Sequence, residues 1–254
     1  MFRKIPLILF LTMTACTILA ACAGSQKKAA LEKQIDTDYQ MAVNFYQNDK
    51  TPEAIRQLAL VLAANPEHAE ANHLMGFIRL GRGQYEEAVR HFKRALKTKP
   101  DMLECQNNLG VAYMHLEQYE DAAIIFKELT KSPLYTSPWL AFVNLGWAYY
   151  QMGMLPEAID ETEMAVDLGP KLCLGYNNLG IFYREQKRDD KARKNLEEAI
   201  RICPNYAEPH IHLAHIFEAE GDRPKAFAHF SKCAELSPKT ELGQRCKQLA
   251  DLMR

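Results

Sequence analysis

Cysteine and histidine are the residue types here most able to do chemistry, and their spacing argues against a catalytic role. Cys105, Cys173, Cys203, Cys233 and Cys246 lie beyond the N-terminal segment, and no two of them form a C-x-x-C pair. That spacing supplies neither a zinc ribbon nor a thioredoxin-like redox site. His210, His212 and His215 crowd one stretch. On a helix His212 and His215 share a face. A metal would want a third ligand from Glu208 or Glu218, so solvated or partner-facing histidines are the expected reading and no metal is assigned. The chain carries no Gly-rich phosphate loop, no Ser nucleophile motif and no His-Glu-x-x-His. The formal charge is -1, with no basic stripe interleaved with aromatics, so nucleic acid is not an expected partner. The expectation is a non-enzyme without cofactor or small-molecule substrate.

A repeat positions these side chains. Ala54, Ala88, Ala122, Ala158, Ala192 and Ala226 recur with gaps of 34, 34, 36, 34 and 34 residues. Nine residues upstream stand Phe45, Tyr113, Tyr149, Tyr183 and Phe217, with Arg79 as the exception. Four downstream stand Leu58, Phe92, Phe126, Thr162, Leu196 and Phe230, and twelve downstream stand Pro66, Pro100, Pro170, Pro204 and Pro238. This period resembles the tetratricopeptide repeat family over residues 35 to 238. The resemblance implies an all-α, right-handed α-solenoid with two antiparallel helices per repeat. Small pairs such as Gly110 and Ala122 let the two backbones approach, while Leu109, Tyr113 and Phe126 fill the space to the next hairpin. The expected repeats are 35–68, 69–102, 103–138, 139–172, 173–206 and 207–238, followed by a capping helix over 239–254. The cap reads from Leu242, Cys246, Leu249 and Met253 at helical spacing, since the last repeat of an array must cover its open face.

In the resembled fold the first helix of each repeat lines a concave face. Its sixth position reads Gln40, Leu74, Asn108, Asn144, Asn178, His212. An asparagine row can pair with the backbone of an extended peptide, although asparagine is common there in the family whatever the ligand. The ninth position reads Val43, Phe77, Val111, Trp147, Ile181, His215, and the twelfth adds Tyr46, Leu80, Met114 and Tyr150. An apolar strip on this face marks an interaction groove for an apolar peptide or amphipathic helix. The alternative is that some of these side chains are tucked between neighbouring first helices. The 36-residue gap places Pro133 and Pro138 around a rigid, protruding turn. If a disulfide forms, Cys233 to Cys246 is the expected pair, level across the Pro238 turn; two reduced thiols packed together are the alternative.

Arg3 and Lys4 precede an apolar run, Ile5 to Ile18, and then Leu19-Ala20-Ala21-Cys22. The run is short for a membrane span and has the layout of a secretory signal. Small residues before a cysteine resemble the bacterial lipobox. That implies a signal peptide over 1–21, cleavage before Cys22, and acylation of Cys22. Loss of Arg3 and Lys4 would leave a charge of -3. Ala23 after the cysteine implies, by the rule for such lipoproteins, the outer membrane. Residues 22–34 read as the lipidated cysteine and a flexible tether, with a coil reach of roughly 20 Å for Ala23 to Gln34.

Lipobox, tether, six repeats and the Pro133-Leu134-Tyr135 turn running into Asn144-Leu145-Gly146 together resemble the type IV pilus biogenesis lipoproteins called pilotins. The resemblance implies a protein partner, the secretin subunit, held in the groove, and membrane contact through the acyl anchor only. Its action would be to carry the secretin to the outer membrane and promote ring assembly. An envelope adaptor recruiting peptidoglycan hydrolases or synthases is the second reading, and an accessory lipoprotein of β-barrel assembly the third.

Overall fold

The structure, a computed structural model, describes residues 7–253, with side chains from Gln26 onward. Cys22 and the signal segment therefore lie outside the described side chains. Thirteen helices and no strand occur among the described residues. They fall into two compact units, residues 1–101 and 102–254.

The first unit holds α1 (Leu7–Gln47), α2 (Thr51–Ala64), α3 (Ala69–Gly81) and α4 (Tyr85–Thr98). The repeating alanines Ala54 and Ala88 are fully buried, as are Leu58 and Phe92 four residues on. A full Leu or Phe burial contributes about 1.5–3 kcal/mol, which is why those positions stay large and apolar. Gly76 makes room for the Phe92 ring: a Cβ there would sit 2.7 Å from its Cε1. Arg79, at the position aromatic in other repeats, instead pairs with Glu87 at 3.2 Å and donates to Gln84 at 2.8 Å. Residues 23–34, expected as a coil, are helical and continuous with α1. The run Ala29-Ala30-Leu31-Glu32-Lys33-Gln34 is made of strong helix formers, and Lys28 and Glu32 pair one turn apart. Helix propensity outweighs the polarity of this segment.

The second unit holds α5 (Leu103–His115), α6 (Tyr119–Lys131), α7 (Pro138–Gln151), α8 (Leu155–Leu168), α9 (Cys173–Glu185), α10 (Asp189–Ile202), α11 (Glu208–Ala219), α12 (Arg223–Leu236) and α13 (Glu241–Leu252). Each odd-numbered helix up to α11 packs against the even-numbered helix that follows it. At Gly110 the close approach is to Phe126 rather than to Ala122, because an added Cβ would lie 2.6 Å from the ring. Thr162 is buried where other repeats carry Leu or Phe, and its hydroxyl is satisfied by donating to the Ala158 carbonyl at 2.7 Å. The turn between α6 and α7 is anchored by buried Tyr135 and presents Leu134, 79 % exposed, at its tip. Helix α13 packs on α12 with Cys246 and Ala250 buried, and Thr240 Oγ1 accepts from the Gly243 amide at its start.

The six turns inside the hairpins share one conformation. Asp49, Gly83, Glu117, Gly153, Lys187 and Gly221, one per repeat, all have φ between 58° and 79°. A side chain in this left-handed region costs about 1–2 kcal/mol, a penalty glycine escapes. Gly83→Ala, Gly153→Ala and Gly221→Ala are each expected to lose about 1 kcal/mol. Lys187→Gly should be neutral or stabilising, because relief of strain offsets glycine's added chain entropy. Thermal melts check this; equal losses from both kinds of change would refute the conformational argument.

Candidate functional site

The 34-residue register brings equivalent positions of successive first helices side by side. In the second unit this makes a cavity of about 400 Å³. Val111 and Met114 come from α5, Val143, Asn144, Trp147 and Gln151 from α7, Leu174 and Asn178 from α9, and Glu208 from the first turn of α11; His115 and Tyr119 complete the lining. The arrangement combines an apolar floor with a few amide groups and one carboxylate. It suits an extended or helical segment rather than a reacting small molecule.

Five of the expected groove residues, Val111, Met114, Asn144, Trp147 and Asn178, meet at this cavity. Others do not. Ile181 is only 7 % exposed and belongs to the core, tucked away as the alternative reading allowed. Asn178 reaches the lining but is itself buried. Asn108 is half-buried and lies outside the lining. Asn144 donates to Asn107 Oδ1 at 3.2 Å, so the asparagine row is partly spent on internal bonds. Trp147 stacks on buried Phe182 with centroids 5.9 Å apart, and Tyr150 lies 4.7 Å from the same ring. Trp147 is thus wall and core at once, while Tyr150 lies outside the lining and packs on the core, so truncating either ring would cost stability.

In the first unit, Tyr46, Phe77 and Leu80 border a smaller depression of about 280 Å³ with Thr51, Ile78, Gly81 and Arg82. Tyr46 and Phe77 meet edge to face at 6.1 Å, and Phe77 is 40 % exposed. Val43 is half-buried and outside that lining.

Leu174 and Glu208 were not anticipated. Both occupy the second position of their repeats, a row reading Asp36, Glu70, Glu104, Leu140, Leu174, Glu208. The switch from acid to leucine in two repeats was the available signal. Glu208 accepts from the Tyr206 hydroxyl at 2.8 Å and has His212 Nε2 at 4.0 Å. The His212 contact holds its carboxyl below the usual carboxylate range, assisted by Tyr206 and Asn177 and opposed by desolvation.

The three crowded histidines part company. His210 is buried against His229 with Nδ1 atoms 3.0 Å apart, His212 faces Glu208 and Arg184, and His215 pairs with Glu218 at 3.1 Å. Burial, and then repulsion from His229, pushes His210 down to about 4. The sulfurs are more ordered than the sequence reading required. Cys233 and Cys246 are joined, with α-carbons 5.9 Å apart, and so are Cys173 and Cys203, at 6.1 Å. The second bridge, not foreseen, ties the start of α9 beside Leu174 to the end of α10. Cys105 is buried, and desolvation pushes its thiol up to about 12.

Comparison with known proteins agrees with this geometry. Residues 79–133 match the family described as tetratricopeptide repeat, and residues 182–221 match the TPR repeat. Among solved structures, PilW, titled a widely conserved type IV pilus biogenesis factor, is similar with a TM-score of 0.73 at 18 % identity, covering 83 % of this chain and 97 % of PilW. Pseudomonas aeruginosa PilF is similar with a TM-score of 0.70 at 18 % identity, covering 86 % of this chain and 99 % of that one. The APC/C hetero-tetramer Cut9-Hcn1 gives 0.71 at 18 % identity, covering 86 % of this chain but 42 % of that one. The chain is an all-α tetratricopeptide array with the fold of these proteins.

Proposed function

We propose that this tetratricopeptide array is an outer-membrane-anchored scaffold of the pilotin kind, binding the secretin of a type IV pilus and promoting its assembly. The observation that carries the reading is the apolar cavity of the second unit, built from the first helices of successive repeats around Trp147 and Leu174. A surface of this chemistry gains by taking an apolar segment out of water. The near-complete coverage of PilW and PilF supports placing that surface in pilus biogenesis. The Leu19-Ala20-Ala21-Cys22 motif supports an acyl anchor. Each buried methylene contributes about 0.8 kcal/mol, so several acyl chains would make a stable one. Scaffold and anchor together would concentrate the partner at the membrane.

Two changes separate the parts of this reading. Cys22→Ser is expected to release the chain into the soluble periplasmic fraction or leave an unprocessed precursor. A variant processed and fractionated like the parent would remove the anchor from the proposal. Leu174 is 41 % exposed, so Leu174→Glu should fold normally yet lose its partner on co-purification from detergent-solubilised envelopes. Recovery of peptidoglycan enzymes or barrel-assembly proteins in place of secretin would replace the pilotin reading with one of the other two.

A further inference from the structure

Glu208 gives the groove a charge preference. Among the described residues that line the cavity, it is the one carboxylate, and none is Lys or Arg. It stands at the α11 edge of a wall otherwise made of Val111, Trp147 and Leu174. Its own neighbours are Tyr206, His212 and Asn177, none a permanent cation, and among the described residues no Lys or Arg forms an ion pair with it. Glu208 also borders a neighbouring depression that holds Arg184 and Arg245; there Arg184 leans on His212, with Nη1 3.4 Å from Nδ1, and neither arginine forms an ion pair with the Glu208 carboxylate. Tyr206 and His212 fix the carboxylate in place without neutralising it fully. Beside apolar surface, a fixed carboxylate is better served by a cationic donor than by water alone.

We infer that the second-unit groove selects a peptide segment carrying a Lys or Arg next to an apolar anchor, with Glu208 as the specificity-determining residue. The inference rests on the groove being the binding surface. The apolar anchor sits on Trp147 and Leu174, and the cation reaches Glu208 at the edge. A segment with Asp or Glu at that place meets repulsion and a desolvation cost, so the carboxylate rejects as well as attracts.

A displayed library of random twelve-residue peptides, selected against the chain from Gln26 onward, tests this. Clones whose binding is lost on Leu174→Glu define groove ligands. Among them Lys and Arg should be enriched at a fixed spacing from a large apolar residue. Glu208→Gln, which keeps an acceptor for Tyr206, should weaken those clones by at least about threefold. Glu208→Lys should turn the preference toward Asp and Glu. Melting curves of the Gln variant matching the parent would assign the loss to charge rather than folding. Groove ligands with the same composition for all three chains would overturn the charge inference and leave the groove standing. If no clone depends on Leu174, the groove reading falls and this inference with it.

Discussion

Reducing the two bridges is expected to be the most damaging single treatment of the second unit. The loop-entropy relation gives about 4 kcal/mol for the 30-residue separation of Cys173 and Cys203, and about 3 kcal/mol for the 13 residues between Cys233 and Cys246. The bridges should not open together. Cys173 and Cys203 are half-buried, whereas Cys233 and Cys246 are fully buried, and thiol exchange requires access to a sulfur. Mild reductant should open the first bridge in the folded chain and release the second only on unfolding. The second loss frees α13 from α12, at an end that has a neighbour on one side only. Titration of the denatured, unreduced chain from Gln26 onward should find one thiol among its five cysteines. Five thiols, or a melting temperature indifferent to reductant, would remove both bridges from the account.

Mild acid is expected to weaken both units through buried and half-buried histidines. His91 and His210 are both lowered to about 4, in each case chiefly by burial. For His91 the neighbours Arg94, Arg79 and Arg90 add to the lowering and Glu87 opposes it. For His210 the neighbours His229 and Lys232 lower it further and Glu235 opposes. His229 is also lowered by burial, opposed by Glu197. A depressed histidine favours the neutral form in the folded chain. Its contribution is therefore complete above the unfolded value near 6.5 and is lost as pH falls toward 4. For His91 and His210 the fully expressed shift corresponds to roughly 3 kcal/mol each. The geometry agrees: Nδ1 of His210 and Nδ1 of His229 face each other at 3.0 Å, so one must accept, and a proton on both would set two donors opposed. Loss between pH 6.5 and 5 precedes most protonation of the lowered carboxyls Glu70 and Glu208. Thermal unfolding followed across pH 7 to 4.5 should show a falling midpoint, and His91→Gln should lessen the response of the first unit, where burial also lowers His73, opposed by Glu70. A midpoint constant over that range would falsify the linkage.

The period of the chain by itself determined the all-α hairpin array. Ala54, Ala88, Ala122, Ala158, Ala192 and Ala226 are all fully buried, because a close helix crossing admits only a small side chain at that position. The left-handed turns were equally written in the period, since Asp49 through Gly221 keep one residue per repeat. The Cys173–Cys203 bridge was not read from the sequence, although its spacing carried the signal. The pair is centred on the turn residue Arg188, just as Cys233 and Cys246 are centred near Pro238, and an antiparallel hairpin brings such positions level. Tertiary structure alone decided which face of each first helix remains open. Position numbers place Val111, Trp147 and Ile181 in one row, yet Ile181 is buried in the core of the second unit while Trp147, stacked on Phe182, stays half-exposed. Repeat spacing fixes direction around one helix axis. The offset between neighbouring hairpins, which comes from side-chain packing, moved the cavity toward Leu174 and Glu208 and drew Asn144 into a bond with Asn107.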